Sequence, residues 1–175
     1  MLIRNARPED AEAFCAIYAP YVINSAVSFE TEAPDEEEMR RRMAKNMEKY
    51  PWLVADINGE VAGYAYASAH RDRAAYGWSV ETSVYVSERF KRRGIGLTLY
   101  KELIARLRKI GVVNLYGIIT LPNVASTSLH EAAGFRPLII FPEIGYKLGK
   151  WHNVGWWEMR LNENADNPGA LKKPE

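Results

Sequence analysis

The residues best suited to chemistry occupy one stretch of the chain, residues 81–97. In residues 81–86 (ETSVYV), β-branched side chains at the even positions alternate with other side chains at the odd positions. This pattern predicts a strand whose odd and even positions face opposite sides. Three cations follow at residues 91–93, and Gly94 and Gly96 then open a segment typical of a helix. The first N–H groups of a helix have no partner within it, its dipole attracts anions, and glycine permits close approach. The stretch therefore predicts a phosphate-binding turn between a strand and a helix.

Two common phosphate-binding loops do not match this turn. The Walker loop requires a lysine and then a serine or threonine after its second glycine, whereas Leu97 and Thr98 follow Gly96. The dinucleotide-binding fingerprint requires a third glycine at a fixed spacing, which this sequence lacks. The remaining pattern resembles the acetyl-CoA pyrophosphate loop of the GCN5-related N-acetyltransferases, the GNAT superfamily. Taken alone, a charged turn with two glycines is equally compatible with an ordinary helix start.

Other motifs extend the resemblance over nearly the whole chain, from about residue 3 to about residue 157. Asn123 precedes a predicted helix and Gly134-Phe135 ends it, as in the GNAT superfamily. Several unusual aromatic motifs are similar to those of the phosphinothricin and methionine sulfoximine N-acetyltransferases. These motifs are YPWLVA at 50–55, AYGWSVE at 75–81, GYK at 145–147 and WHNVG at 151–155.

Two titratable residues are candidates for proton transfer, which amine acetylation requires because only the neutral amine attacks a thioester. The resemblance implies that Glu81 is the general base, acting directly or through a water. The residue pattern alone favours a surface or ion-paired glutamate at a strand start. His130 stands where many GNAT members carry a tyrosine that protonates the leaving thiolate, and the resemblance implies that it assists. The alternative for His130 is a structural histidine that joins its helix to the sheet.

The resemblance implies acetyl-CoA as the cosubstrate and no metal. The backbone at residues 84–86 would contact the pantetheine arm and thioester, and the turn at residues 92–97 would hold the pyrophosphate. Asn123 would bind the pantetheine amide, although an asparagine there is equally suited to cap a helix. The implied cofactor-binding residues are Val84, Tyr85, Val86, Arg92, Arg93, Gly94, Ile95, Gly96, Leu97, Asn123 and Ser126.

The acceptor site is predicted beside Glu81. Arg73 matches an arginine of the phosphinothricin branch, and a guanidinium pairs well with the carboxylate of an amino acid. Phe29 and Tyr76 are expected to form walls of the same site. A solvated loop charge is the alternative for Arg73 and the preferred interpretation of Arg71.

Composition limits the class of protein. The 175 residues are 47% hydrophobic and 26% charged, which indicates one globular domain with a sizeable core. A formal net charge of +1 argues against a general nucleic-acid binder. No segment of the sequence is long and apolar enough for a membrane span, and the lone cysteine, Cys15, suits a reducing cytoplasm. We therefore expect neither nucleic acid nor a membrane as a partner, and a cytoplasmic location.

The order of the elements predicts an α+β fold. Residues 52–57 and 60–69 predict two strands joined by Asn58-Gly59, a strong hairpin signal. A long helix is predicted over residues 94–109, and Met39, Met43 and Met47 form a stripe that indicates core packing on an earlier helix.

The last part of the chain completes the predicted domain. The hydrophobic segments 137–141 and 154–161 are expected to be the final strands. With the resemblance, this gives a GNAT-type fold over residues 1–161, a mixed and mostly antiparallel sheet flanked by helices. The polar residues 162–175 are predicted to form a poorly ordered tail.

The expected activity is acetylation of the α-amino group of a small amino acid or analogue, such as phosphinothricin or methionine sulfoximine. One alternative is acetylation of protein N-termini or polyamines, and the lack of an acidic pattern disfavours polyamines. Another is a non-catalytic acyl-CoA-binding module, which would need neither Glu81 nor His130. The aromatic C-terminal hairpin makes a homodimer the expected assembly.

Overall fold

The computed structural model describes residues 1–162 and 167–174. Within these residues, a seven-stranded sheet is covered by α1 and α2 on one face and by α3 and α4 on the other. The helices are α1 (Ala11–Ile23), α2 (Glu36–Met47), α3 (Ile95–Ile110) and α4 (Val124–Ala133). The strands are β1 (Leu2–Asn5), β2 (Trp52–Ile57), β3 (Glu60–Ala69), β4 (Ser79–Val86), β5 (Asn114–Leu121), β6 (Arg136–Lys147) and β7 (Lys150–Arg160).

The sheet has one parallel pair at its centre. The strand order is β1-β2-β3-β4-β5-β7-β6, and every neighbouring pair is antiparallel except β4 and β5. Pairing between β4 and β5 covers only Ser79–Glu81 against Asn114–Tyr116, although both strands continue for five more residues. The two strands therefore separate, and a gap opens in the middle of the sheet.

Local sequence signals placed the early elements correctly. The predicted hairpin joins β2 to β3 through Asn58 and Gly59, whose φ angles of 56° and 86° are those of a tight turn with two left-handed residues. Met39 and Met43 of α2 are buried against α1 and β2, which confirms core packing for the methionine stripe.

The final hairpin is much longer than the hydrophobic segments predicted. β6 and β7 extend to Lys147 and Lys150, well beyond the expected limits of residues 141 and 154. The prediction was wrong because Pro142 and Glu143 interrupt the hydrophobic pattern of β6 with a register shift, where Glu143 has a φ of 46°. The turn itself places Leu148 at a positive φ, a position where leucine gives no turn signal.

The loop between α1 and α2 is fastened to this hairpin. Lys147 is buried and its Nζ donates hydrogen bonds to the carbonyl oxygens of Val22 and Ser28. Burial lowers the pKa of Lys147 below its ordinary value. Phe29 lies over Gly145, where an added Cβ would come within 2.1 Å of its ring. The loop that carries Phe29 is thus positioned by contacts that need a lysine and a glycine on β6.

Part of the predicted tail contacts the domain. The indole Nε1 of Trp78 donates to the carbonyl oxygen of Gly169, and Leu171 packs against the α3 side of the core. Residues 163–166 and 175 lie outside the described residues, and the domain boundary at residue 161 stays a prediction. No helix in the described part of the chain is long and apolar enough to cross a membrane.

Candidate active site

A pocket occupies the gap between β4 and β5 and reaches both faces of the sheet. On the α1–α2 face it is bordered by Val27 and by Tyr85, whose ring packs against that side of the core. On the α3–α4 face it is bordered by Tyr100 and His130. The lining residues are Val27, Thr82, Ser83, Val84, Tyr85, Tyr100, Ile118, Ile119, Thr120, Asn123, Ser126 and His130.

The backbone of β4 presents polar groups to this gap. Ser87 N–H donates to β3 at Ala62, whereas the Trp78 carbonyl oxygen accepts from the residues that lead into β5. Peptide groups alternate along a strand, so those of Val84 and Val86 face the gap and those of Tyr85 face β3. The Val86 carbonyl oxygen already accepts from the hydroxyl of Tyr21 at 2.9 Å. Of the three predicted backbone contacts, this arrangement favours Val84 and Val86 over Tyr85.

The predicted phosphate turn has the expected geometry. Arg92 and Gly94 have φ angles of 61° and 75°, and α3 begins at Ile95 without a side-chain cap. By contrast, Asp35 and Asn123 cap α2 and α4 by accepting hydrogen bonds from backbone N–H groups. The first N–H groups of α3 therefore have no side-chain partner among the described residues and can receive an anion.

The cations of this turn differ in their contacts with other side chains. Lys91 pairs with Glu88 at 2.6 Å and lies over the ring of Tyr21, and Arg93 lies over the ring of Phe90. Arg92 and Arg93 are exposed.

The two glycines of the turn are needed for different structural reasons. Gly94 has a left-handed backbone and nothing within 4 Å of an added Cβ. An added Cβ on Gly96 would lie 3.1 Å from Leu129 of α4, so Gly96 also allows α3 and α4 to pack closely. A bulky residue at position 96 would consequently disturb this packing as well as any phosphate.

Asn123 is a helix cap, as one of its two interpretations predicted. Its Oδ1 accepts from Ser126 N–H at 3.1 Å. No described residue accepts from its amide nitrogen, which can therefore donate into the pocket that Asn123 lines. Ser126 follows on the same helix, with its hydroxyl 3.4 Å from His130.

His130 is buried on the α3–α4 face and both of its ring nitrogens have partners. Nδ1 lies 2.8 Å from the carbonyl oxygen of Ser126, so it carries the proton, and Nε2 therefore accepts from the Tyr100 hydroxyl at 2.8 Å. The ring lies directly over Gly117 of β5, where an added Cβ would be 2.3 Å away. Burial lowers the pKa of His130 below its ordinary value of 6.5, despite the opposing hydrogen bond to Ser126. The geometry gives His130 the linking role foreseen as its structural alternative.

Glu81 lies on the opposite face of the sheet from His130. Thr82, the next residue on β4, points its hydroxyl toward Tyr100 at 3.4 Å, so Glu81 points toward the α1–α2 face. The side chain of Glu81 is 29% exposed. No hydrogen bond joins Glu81 to His130 in the described part of the chain, and each borders the sheet near the closed end of the gap.

Sequence reasoning missed the partner of Glu81. Oε1 of Glu81 lies 2.9 Å from Nδ1 of His70, the residue that follows β3. The same oxygen lies 3.5 Å from the guanidinium of Arg71, whose side chain is 54% exposed, so Arg71 is a largely solvated loop charge with one long contact to Glu81. The register that pairs Ser68 with Glu81 brings His70 beside the carboxylate, and only this register could have revealed the contact.

The predicted acceptor residues are only partly brought together. Tyr76 meets the His70 ring with 5.7 Å between ring centroids, so it lies beside the Glu81 site. Arg73 precedes the short 3-10 helix Ala74–Tyr76 and is exposed. Its carbonyl oxygen accepts from Tyr76 N–H at 2.9 Å, and its guanidinium makes no hydrogen bond or ion pair with a residue that the structure describes. The ring of Phe29 packs against Gly145 of β6, and no described contact joins Phe29 to Tyr76.

Comparison with known proteins decides the family. The model of the acetyltransferase (GNAT) domain matches residues 3–156. The chain belongs to the GNAT acetyltransferases. This confirms the predicted family, and the observed sheet with its flanking helices confirms the predicted fold.

Individual relatives narrow the position within the GNAT family. The chain is 42% identical to phosphinothricin N-acetyltransferase of Streptomyces viridochromogenes, covering 89% of this chain and 85% of the relative. It is 31% identical to the L-methionine sulfoximine/L-methionine sulfone acetyltransferase of Salmonella typhimurium, covering 94% of this chain and 97% of the relative. A crystal structure of a phosphinothricin acetyltransferase from Sinorhizobium meliloti in complex with AcCoA matches with a TM-score of 0.92 at 34% identity, covering 96% of this chain and 92% of that one.

The burial of His130 predicts a pH dependence of stability. The unfolded chain binds a proton on this histidine near pH 6.5, whereas the folded site resists it because burial lowers its pKa. The free energy of unfolding should therefore fall as the pH drops below about 6.5, by up to about 1.4 kcal/mol per pH unit. Urea unfolding of the parent and of His130→Gln measures this component, which the variant lacks. The difference in free energy of unfolding between the parent and the variant should become smaller toward acid pH. If the two free energies change in parallel with pH, the prediction is contradicted.

Proposed function

We propose that the protein acetylates the α-amino group of a small amino acid or amino-acid analogue with acetyl-CoA. The observation that carries this proposal is the gap between β4 and β5. It opens beyond the last paired residue of β4, Glu81, and the other end of β4, at Val86, lies beside the uncapped start of α3, where an added Cβ on Gly96 would be 3.7 Å from Val86. The names of the relatives support phosphinothricin, methionine sulfoximine and methionine sulfone as test acceptors.

In the proposed complex, acetyl-CoA binds along the open side of β4. The first N–H groups of α3 hold the pyrophosphate, and the peptide groups of Val84 and Val86 hold the pantetheine arm. Asn123 donates its amide N–H to the pantetheine. The thioester then lies in the gap, where a backbone N–H stabilises the negative charge that develops on the carbonyl oxygen.

Transfer is proposed to be direct. Glu81 takes a proton from the acceptor's ammonium group, whose nitrogen keeps the electron pair and attacks the thioester carbon. The nitrogen loses its second proton as the carbon–sulfur bond breaks. The thiolate, which leaves on the α3–α4 side, takes up that proton and becomes coenzyme A thiol. His130 is proposed to assist there, where its partner Tyr100 borders the pocket.

Arg73 is proposed to bind the acceptor's carboxylate. Its support is an exposed guanidinium near Tyr76, on the connection that leads into β4. A charge-assisted pair of this kind contributes about 1.5–3 kcal/mol, which corresponds to about 10- to 100-fold in binding.

A thiol-release assay with an acceptor panel tests the proposed activity. Phosphinothricin and methionine sulfoximine should release coenzyme A thiol, and an amine that lacks the carboxylate should show a KM at least about tenfold higher. Arg73→Gln should remove this difference by raising the KM of the amino acids alone. If the parent enzyme has the same kinetics for acceptors with and without a carboxylate, Arg73 does not bind the acceptor's carboxylate. Release only with peptide N-termini would favour protein acetylation, and bound acetyl-CoA without any acceptor-dependent release would favour a non-catalytic module.

Two variants of Gly94 test the pyrophosphate site. Nothing lies within 4 Å of an added Cβ at this position, so Gly94→Asn and Gly94→Asp fit equally and share the same strain at φ 75°. Only the aspartate adds a negative charge beside the proposed diphosphate. Calorimetry should show acetyl-CoA binding on the order of tenfold weaker for Gly94→Asp than for Gly94→Asn. Matching affinities in the two variants would place the phosphates elsewhere.

The exposed edge of the sheet supports a homodimer. β6 is an edge strand of the sheet. Exposed apolar side chains are concentrated on β6, on the turn that follows it and on the start of β7: Leu138, Ile139, Ile140, Ile144, Tyr146, Leu148 and Trp151. We propose that a second copy of the chain covers this surface. We place the enzyme in the cytoplasm, which the lone free thiol of Cys15 supports.

Sedimentation of matched edge variants measures the assembly. Ile140→Glu introduces a charge on the proposed interface and should convert dimers to monomers. Leu2→Glu places the same charge on β1, the other edge of the sheet, and should leave the assembly unchanged. A monomeric parent, or two variants with the same mass, would refute the interface.

A further inference from the structure

The carboxylate of Glu81 is held by one oxygen only. Both of its described contacts, His70 Nδ1 at 2.9 Å and the Arg71 guanidinium at 3.5 Å, go to Oε1. No described residue makes a hydrogen bond to Oε2. Because an ionised carboxylate only accepts hydrogen bonds, Nδ1 of His70 must carry the proton in this contact.

The imidazole of His70 is itself fixed by aromatic rings from three elements. Tyr76, Tyr116 of β5 and Trp156 of β7 lie around it, with ring centroids 5.7, 5.0 and 5.4 Å away. The side chain of His70 is only 11% exposed. Arg71 is more than half exposed and its contact is at the outer limit of distance, so it holds the carboxylate weakly. The ordering of Glu81 therefore comes mainly from His70.

We propose that His70 is a positioning residue that holds Oε1 of Glu81 and leaves Oε2 as the proton acceptor for the substrate ammonium. This inference rests on the proposed function. In the step it serves, an N–H bond of the ammonium breaks, the electron pair stays on the nitrogen, and the proton bonds to Oε2. A carboxylate that rotated freely would offer Oε2 at the required place for only part of the time, which lowers kcat rather than cofactor affinity.

A double-mutant cycle between His70 and Glu81 tests the coupling. Glu81→Gln should lower kcat by about 10²–10⁴-fold, the span of general base catalysis. His70→Ala should lower kcat by about 10- to 100-fold, because the carboxylate remains but is misplaced. The double variant should be within about twofold of Glu81→Gln, since His70 acts only through the carboxylate. Acetyl-CoA affinity and thermal stability of each variant verify that cofactor binding and folding are retained.

Two further variants distinguish positioning from a loss of packing. His70→Asn keeps an N–H donor near the position of Nδ1 and should recover most of kcat relative to His70→Ala. Asp72→Asn changes the same connection without a described contact to Glu81, and its kcat should equal that of the parent. Unchanged kcat in His70→Ala, or losses that multiply fully in the double variant, would overturn the proposal.

A spectroscopic measurement decides the contact independently of activity. Nitrogen-15 NMR of the histidine rings in the full chain should show His70 as the Nδ1–H tautomer at neutral pH, with a loss of that preference in Glu81→Gln. An Nε2–H tautomer in the parent would overturn the proposal, because Nδ1 could not then donate to the carboxylate. If the parent shows no acceptor-dependent thiol release while the Nδ1–H tautomer is present, the proposed function fails but the held carboxylate remains.

Discussion

The early end of pairing between β4 and β5 is the constraint on which the rest of the site depends. In a continuous sheet, the peptide groups of Val84 and Val86 would be used by β5 and no ligand could reach them. Here β4 keeps its full antiparallel pairing with β3, and β5 keeps its pairing with β7 along its whole length. Each strand therefore leaves only one side unpaired. Helices α3 and α4 pack the core beneath, so the opening is confined to the place where the cofactor is proposed to bind.

The same opening separates two kinds of titratable group. His130 is buried and hydrogen-bonded to Tyr100 and Ser126, and burial lowers its pKa, so it is neutral at neutral pH. Glu81 is partly exposed on the other face and contacts His70. A thioester placed in the gap as proposed would be reached by the amine from the side of Glu81, which is partly exposed, while its sulfur would lie on the side of the buried His130. This division keeps the proposed removal of the ammonium proton apart from the proposed protonation of the thiolate.

Predictions from short segments were confirmed and those that depended on distant contacts were not. The hairpin at Asn58-Gly59 and the helix between Asn123 and Gly134 are specified by residues adjacent in the chain. The long final hairpin was missed because its turn carries Leu148 at a positive φ and its first strand is interrupted after Phe141. The capping role of Asn123 was foreseen, whereas the close packing that Gly96 permits against Leu129 was not.

The sequence by itself determined the family, the glycine-containing turn that begins α3 and the alternation that gives β4 its two faces, since each depends on neighbouring residue types and short-range backbone geometry. Only the tertiary structure decided that His70 contacts the carboxylate of Glu81 and that His130 lies on the opposite face of the sheet. The connection from His70 to Ser79 leaves the β3–β4 register open in the sequence, and β-register is settled by which side chains the whole sheet can bury. A contact across that register therefore becomes visible only when both faces of the sheet are packed.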